Sequence, residues 1–212
     1  MNPNKKLLSR LAFLAIVGVT ILGVFLMAQS LSKSQENKSG IVAEDGFIPS
    51  EPGKAILVEF SDFQCPACGL YYPLVKQLKA DLEDKLVVVY KNFPLKQIHK
   101  NAELAARASE AALVQGKFWE MHNVLFEKQN EWSNSDQVLS LFTTYAVSIG
   151  LDKEKFLIDI DLSATYDKIN TDYQQGVRLG VAGTPTFFLN GKKITNPQDY
   201  DQFKSIIEQA IK

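Results

Sequence analysis

Val58-Glu59-Phe60-Ser61-Asp62-Phe63-Gln64-Cys65-Pro66-Ala67-Cys68 carries both cysteines of the 212-residue chain. The apolar run Ala55–Phe60, broken only by Glu59, predicts a central strand covered on both faces. Cys65 to Leu82 follows as a helix, with Leu70, Leu74, Leu78 and Leu82 at four-residue spacing and Pro73 predicting a kink. A strand that hands two thiols to the first turn of a helix suits dithiol–disulfide chemistry. With no further cysteine for a structural disulfide framework or a four-thiolate metal site, the pair reads as a working redox centre.

Working outward, Leu86–Tyr90 predicts a second buried strand, closed by Phe93-Pro94. From about Asn101 to Leu179 the pattern is helical. An alanine-rich helix ends near Gly116, Phe118–Lys128 follows, and Ser135–Ile149 begins on a capping residue and stops at Gly150. Asp152 caps a further short helix, and a longer one runs from about Ser163 to Gly180. Thr186–Leu189 and Lys192–Ile194 flank Asn190-Gly191, a strong hairpin signal, and Gln198–Ile211 closes the chain as an amphipathic helix.

A hydrophobic fraction of 46% and a charged fraction of 22% are those of a globular protein. The N-terminus departs from that average. Lys5, Lys6 and Arg10 precede an uncharged span from Leu11 to Ala28. As a helix those 18 residues would reach about 27 Å, against a hydrocarbon core of about 30 Å. Basic residues ahead of the span put the N-terminus in the cytoplasm and the remainder outside. A cleaved signal peptide, cut near Ala28-Gln29-Ser30, is the competing reading; the length of the span favours a retained single-pass signal anchor in the cell membrane.

Either reading delivers the rest of the chain to an extracytoplasmic compartment, the periplasm or the outer surface, where disulfides form. The expected organisation is a basic N-terminus over 1–10, a transmembrane helix over 11–28, a linker over 29–53, and one folded domain over 54–212. Beyond residue 30 the chain carries 20 Lys and Arg against 24 Asp and Glu, a net formal charge of −4 that argues against nucleic-acid binding. A single domain on a tether is expected to be a monomer.

With these pieces placed, the chain resembles the DsbA-like branch of the thioredoxin superfamily. Three segments carry the likeness: Val58 to Cys68; Asn92-Phe93-Pro94-Leu95 with His99, the alanine-rich helix and Gln115-Gly116-Lys117-Phe118-Trp119; and Gly180-Val181-Ala182-Gly183-Thr184-Pro185-Thr186-Phe187. A lone Cys-x-x-Cys is a weak signal, but a Thr-Pro segment 117 residues further on makes it specific. The resemblance implies an α/β thioredoxin fold with a helical insertion over about 99–179. It also implies an extracytoplasmic location, thiol–disulfide exchange, and a cis Thr184-Pro185 bond opposite the dithiol.

On that likeness Cys65 is the attacking, partly exposed thiol at the helix N-terminus and Cys68 the buried resolving thiol. Pro66 suits the first helical position, where its missing N–H is no loss. Ala67 stands where some strongly oxidising relatives have histidine; it supplies no charge or donor, which predicts a milder oxidant. Glu59, six residues before Cys65, falls where thioredoxin-like proteins keep a buried acid able to exchange protons with the second cysteine. Thr184 and Pro185 are expected to offer backbone hydrogen bonds to an extended substrate segment.

No cofactor and no metal are expected. His99 and His122 are the only histidines, and their intervals of 30 and 22 residues do not match a zinc finger. His99 falls where the family often has a histidine, which implies a minor role near the site, whereas His122 reads as helix surface or a packing residue. The partners implied by the resemblance are exported unfolded polypeptides and a membrane reoxidant of the DsbB or vitamin K epoxide reductase type. The alternatives are an isomerase or reductase of the same fold, and a non-catalytic thiol metal carrier or peptide-binding chaperone.

Overall fold

The computed structural model describes residues 52–211. The expected basic N-terminus over 1–10, the membrane span over 11–28 and all but the last two residues of the linker over 29–53 lie outside the described residues, and among the described residues no helix is long and apolar enough to cross a membrane.

Four strands form one sheet in the order β2-β1-β3-β4. β1 (Ala55–Ser61) pairs in parallel with β2 (Leu86–Asn92). On its other side β1 pairs antiparallel with β3 (Thr186–Leu189), which turns into the short β4 (Lys192–Lys193). The turn is Asn190-Gly191, with φ of 47° and 79°, the left-handed pair that a two-residue hairpin demands.

Every residue of β1 is buried, as its apolar run predicts. Its alternating side chains serve two cores. Ala55 and Leu57 join Leu86, Val88, Phe187 and Leu189 under α1 (Pro66–Leu82) and α8 (Tyr200–Ile211), against Val75, Leu78, Phe203 and Ile207. Ile56, Val58 and Phe60 face the opposite way, against Phe93, Val181 and Phe188. There α7 (Ser163–Arg178) closes the layer, and Tyr173 stacks on Phe93 at 4.5 Å. Gly176 makes that approach possible: a methyl group at this position would come within 2.7 Å of the Phe93 ring.

α1 continues unbroken across Pro73. Its buried face is Cys68, Tyr72, Val75, Leu78 and Leu82; of the expected four-residue row Leu78 and Leu82 are buried, Leu74 is half-buried and Leu70 is 74% exposed. At 3.6 residues per turn a strict i, i+4 row rotates about 40° per step, so eight residues from Leu78 it has left the core face.

Between β2 and β3 lies a helical insertion: α2 (Ala102–Val114), α3 (Phe118–Glu127), α4 (Gln129–Trp132), α5 (Val138–Ser148) and α6 (Lys153–Asp159), leading into α7. Small side chains on α2 (Ala105, Ala108, Ala111, Ala112) let it pack closely beneath Met121, Leu125, Phe142 and Phe156, with Trp132 wholly buried at the centre. Asp152 caps α6 as expected, accepting from the Lys155 N–H at 2.7 Å. Ser135 does not cap α5. Its hydroxyl accepts from the Gln137 N–H at 3.0 Å in a local turn, and the helix begins three residues later than expected, at Val138.

Candidate active site

Cys65 is the N-cap of α1 in extended conformation (φ −67°, ψ 122°), with Pro66 at the first helical position. The helix therefore opens with backbone N–H groups that no upstream carbonyl satisfies, aimed at the Cys65 side chain. Cys68 lies one turn on and faces the sheet. The thiols are not bridged to one another. Cys68 is fully buried and Cys65 is only 7% exposed, so Cys65 is more covered than the expected partly exposed thiol. Part of its cover is Thr184, whose carbonyl accepts from the Cys65 thiol at 3.4 Å.

The two sulfurs are tuned in opposite directions. The Cys65 thiol is pulled down to about 5, chiefly by a hydrogen bond from Cys68. Burial works against that shift, while Thr184 and the Cys68 and Ala67 backbone N–H groups reinforce it. The Thr184 carbonyl favours the thiol form because it can only accept. Its hydroxyl oxygen is buried with no other hydrogen-bond partner among the described residues, and a hydroxyl can donate to a thiolate. The Cys68 thiol is pushed well up, first by burial, then by the neighbouring Cys65 and by Glu59. Ala67 contributes no side-chain donor, consistent with its chemistry.

Glu59 is 2% exposed on the α1 side of β1, paired in register with Tyr90. Burial raises its carboxyl to about 7, against some lowering by the Ser61 hydroxyl. Ser61, two residues along the same strand, shares its face. Glu59 and Ser61 thus both act on the Cys68 sulfur, in opposite senses: the Glu59 carboxylate raises its thiol and the Ser61 hydroxyl lowers it.

Thr184-Pro185 is a cis bond, as the resemblance implied. The loop that carries it is held by Thr186 Oγ1 donating to the Gly183 carbonyl at 2.7 Å and by Asn196 Nδ2 donating to the Pro185 carbonyl at 2.8 Å. One lone pair of the Pro185 carbonyl is therefore already engaged by the protein.

Several contributors escaped sequence reasoning. Asp62, between strand and dithiol, donates its N–H to Cys68 Sγ at 3.5 Å. Its buried carboxylate accepts from the N–H groups of Gln64 and Leu95 and meets His99 Nδ1 at 2.7 Å. His99 is thus joined to the dithiol loop through Asp62. Of the two expectations for His122, helix surface or packing, the structure shows packing. It is caged by Phe63, Tyr72, Tyr90, Phe118, Trp119 and Phe126, and burial lowers it to about 4.

The helical insertion also grips the loop. Gln64 accepts from the Asn101 N–H and donates to the Ser133 carbonyl, while Gln129 Nε2 donates to the carbonyls of Phe63 and Cys65. These partners are 37 to 69 residues apart in sequence and leave no local pattern.

The comparisons agree with this geometry. Residues 46–209 match the thioredoxin family model. The structure of BdbD from Bacillus subtilis, in its oxidised form, superposes with a TM-score of 0.66 at 26% identity, covering 77% of this chain and 90% of that one. A thioredoxin-like oxidoreductase from Silicibacter pomeroyi DSS-3 gives 0.62 at 26% identity over 75% and 87% of the two chains. These likenesses support a thiol–disulfide oxidoreductase kind of activity. In sequence, 146 residues are 38% identical to a Na(+)/H(+) antiporter, NhaA 1 of Mycobacterium sp. (strain KMS), covering 68% of this chain and 23% of that protein. The chain spans about a quarter of the length of the curated relatives it matches first. A sheet of these four strands, a dithiol at the head of its first helix and a facing cis-proline account for the family match, and the chain belongs to the thioredoxin family.

Proposed function

We propose that the protein forms or exchanges disulfides in exported polypeptides, through Cys65 and Cys68, on the outer side of a membrane to which residues 11–28 anchor it. The observation that carries this reading is the opposed tuning of the two thiols: Cys65 at about 5 and Cys68 well above its ordinary value. A low-lying first sulfur is a good leaving group and a stable thiolate at neutral pH; a high-lying second sulfur holds its proton.

In the oxidising direction a substrate thiolate attacks Cys65 Sγ of the Cys65–Cys68 disulfide. The new bond joins substrate and Cys65, and the Cys68 sulfur leaves with the electron pair and takes up a proton, for which the Glu59 carboxyl beneath it is placed. A second substrate thiolate then attacks the substrate sulfur of the mixed disulfide and expels Cys65 as its thiolate. The substrate has lost two electrons and the dithiol has gained them. A membrane reoxidant of the DsbB or vitamin K epoxide reductase type would return the pair to the disulfide.

The test is turnover of an unfolded peptide with two thiols, using the oxidised full chain in stoichiometric amount. Formation of the peptide disulfide with matching appearance of the protein dithiol, abolished in Cys65→Ser, supports the reading. A peptide left reduced, or one captured equally well by Cys65→Ser without covalent bonding, supports a peptide-holding module instead.

A further inference from the structure

Gln129 opens the short α4 of the insertion, yet its side chain reaches the head of α1. Its Nε2 donates to the Phe63 carbonyl at 2.7 Å and to the Cys65 carbonyl at 3.0 Å. Two carbonyls can be met only by the nitrogen of the amide, which fixes the orientation of the group. The Cys65 carbonyl is also the first acceptor of the helix, taking the Gly69 N–H at 3.1 Å. The peptide plane that Gln129 holds, between Cys65 and Pro66, is therefore the one that launches α1, just ahead of the Ala67 and Cys68 N–H groups that meet the Cys65 sulfur.

The far side of the same amide lies against Gly69. A methyl group at Gly69 would stand 2.7 Å from Gln129 Oε1, 3.3 Å from its Cδ and 3.4 Å from its Nε2. A glycine within a helix costs about 1 kcal/mol relative to alanine, so a space requirement here has a definite sign. The atoms in the way belong to the tip of a flexible side chain, so alanine at 69 would displace the amide and leave the backbone in place.

We propose that Gln129 is a positioning residue for the Cys65 thiol, an amide clamp by which the helical insertion holds the dithiol loop, and that Gly69 leaves room for it. The clamp deepens the exchange reading and rests on it. Its role is to keep the Cys65 peptide plane aligned so that the helix N–H groups converge on the sulfur. Removing it loosens that alignment and weakens the support for the thiolate. The groups facing Cys65 Sγ from the surrounding elements are Cys68 and Thr184, neither of which changes in the variants below.

The test is a double-mutant cycle on the reduced full chain, reading thiolate absorbance against pH together with thermal unfolding. Gln129→Ala is expected to raise the Cys65 midpoint by about 0.5 pH unit, the scale of a helix-terminus interaction. Gly69→Ala is expected to raise it similarly by evicting the amide, and the double variant no further than either alone. Gln129→Glu, which keeps the shape but sets a carboxylate against two carbonyls, is expected to raise it more than Gln129→Ala. In thermal unfolding, Gly69→Ala should stabilise the Gln129→Ala background and fail to stabilise the wild type.

Additive shifts from the two single changes, or a wild-type midpoint near 5 that Gln129→Ala leaves in place, would overturn the clamp alone. An oxidised full chain that leaves a two-thiol peptide reduced would overturn the exchange reading itself, and the clamp as a device of it.

Discussion

The Asp62 carboxylate meets His99 Nδ1 at 2.7 Å while the Asp62 backbone N–H points at Cys68 Sγ, so one residue joins the resolving sulfur to the loop that follows β2. The same carboxylate takes the Gln64 N–H at 2.7 Å and the Leu95 N–H at 2.9 Å. Asp62→Ala removes the partner of these two N–H groups and of the imidazole. The expected loss is about 2–4 kcal/mol of stability, measured by denaturant unfolding, with Asp62→Asn retaining part of it. A loss below about 0.5 kcal/mol would show that the loop stands without this carboxylate.

The dithiol itself is tested by its reactivity. Cys65 alkylation in the reduced chain should rise with a midpoint near pH 5 and then stay flat through neutrality, because the thiolate is already formed. Cys68→Ser should accumulate mixed disulfides with substrate, visible on non-reducing gels, since the resolving sulfur is gone. Cys65→Ser should accumulate none, because Cys68 is fully buried.

Glu59 makes stability fall with rising pH. Its carboxyl is raised from 4.5 to about 7, so between those values the folded chain keeps a proton that the unfolded chain has released. Stability is fully present below the unfolded value and is lost as pH rises through about 7. Glu59→Gln removes this penalty. It should stabilise the protein by up to about 3 kcal/mol at pH 8, with the gain vanishing towards pH 4.5, while slowing resolution of the mixed disulfide. An equal gain at both pH values would mean the effect is packing and not the buried charge.

His122 has the opposite slope. Held at about 4 against an ordinary 6.5, it is neutral in the folded chain while the unfolded chain takes up a proton. Its contribution is full above 6.5 and is lost as pH falls through about 4. His122→Leu should therefore resist acid unfolding, with the difference from wild type opening only below about pH 6.5. A constant difference across that range would contradict the assignment.

Much of the frame was legible in the sequence because it is governed locally. The apolar run of β1, Pro66 after the N-cap, the Asp152 cap and the Asn190-Gly191 hairpin each depend on residues within a few positions of one another. Cys65, Cys68 and the cis Thr184-Pro185 were legible through a familiar pattern, and the burial of Glu59 through its apolar neighbours. What was not legible is the set of long-range polar contacts: Gln129 to Cys65, Gln64 to Ser133 and Asp62 to His99. Glutamine and asparagine carry no periodicity, and only the packed insertion brings them to the loop. Leu70 misled for a related reason, since four-residue spacing approximates a helical face over one turn and fails over several.

The most direct test of dithiol exchange is the reduction potential of the full chain equilibrated against glutathione buffers. A Cys65 thiolate favoured at about 5 stabilises the reduced form, although Ala67 adds no side-chain donor to its backbone N–H. A single two-electron transition is expected between about −120 and −200 mV. A potential near about −270 mV would mark a reductase that needs an electron donor. Failure of Cys65 and Cys68 to form a reversible disulfide at any poise would rule out dithiol exchange by this protein.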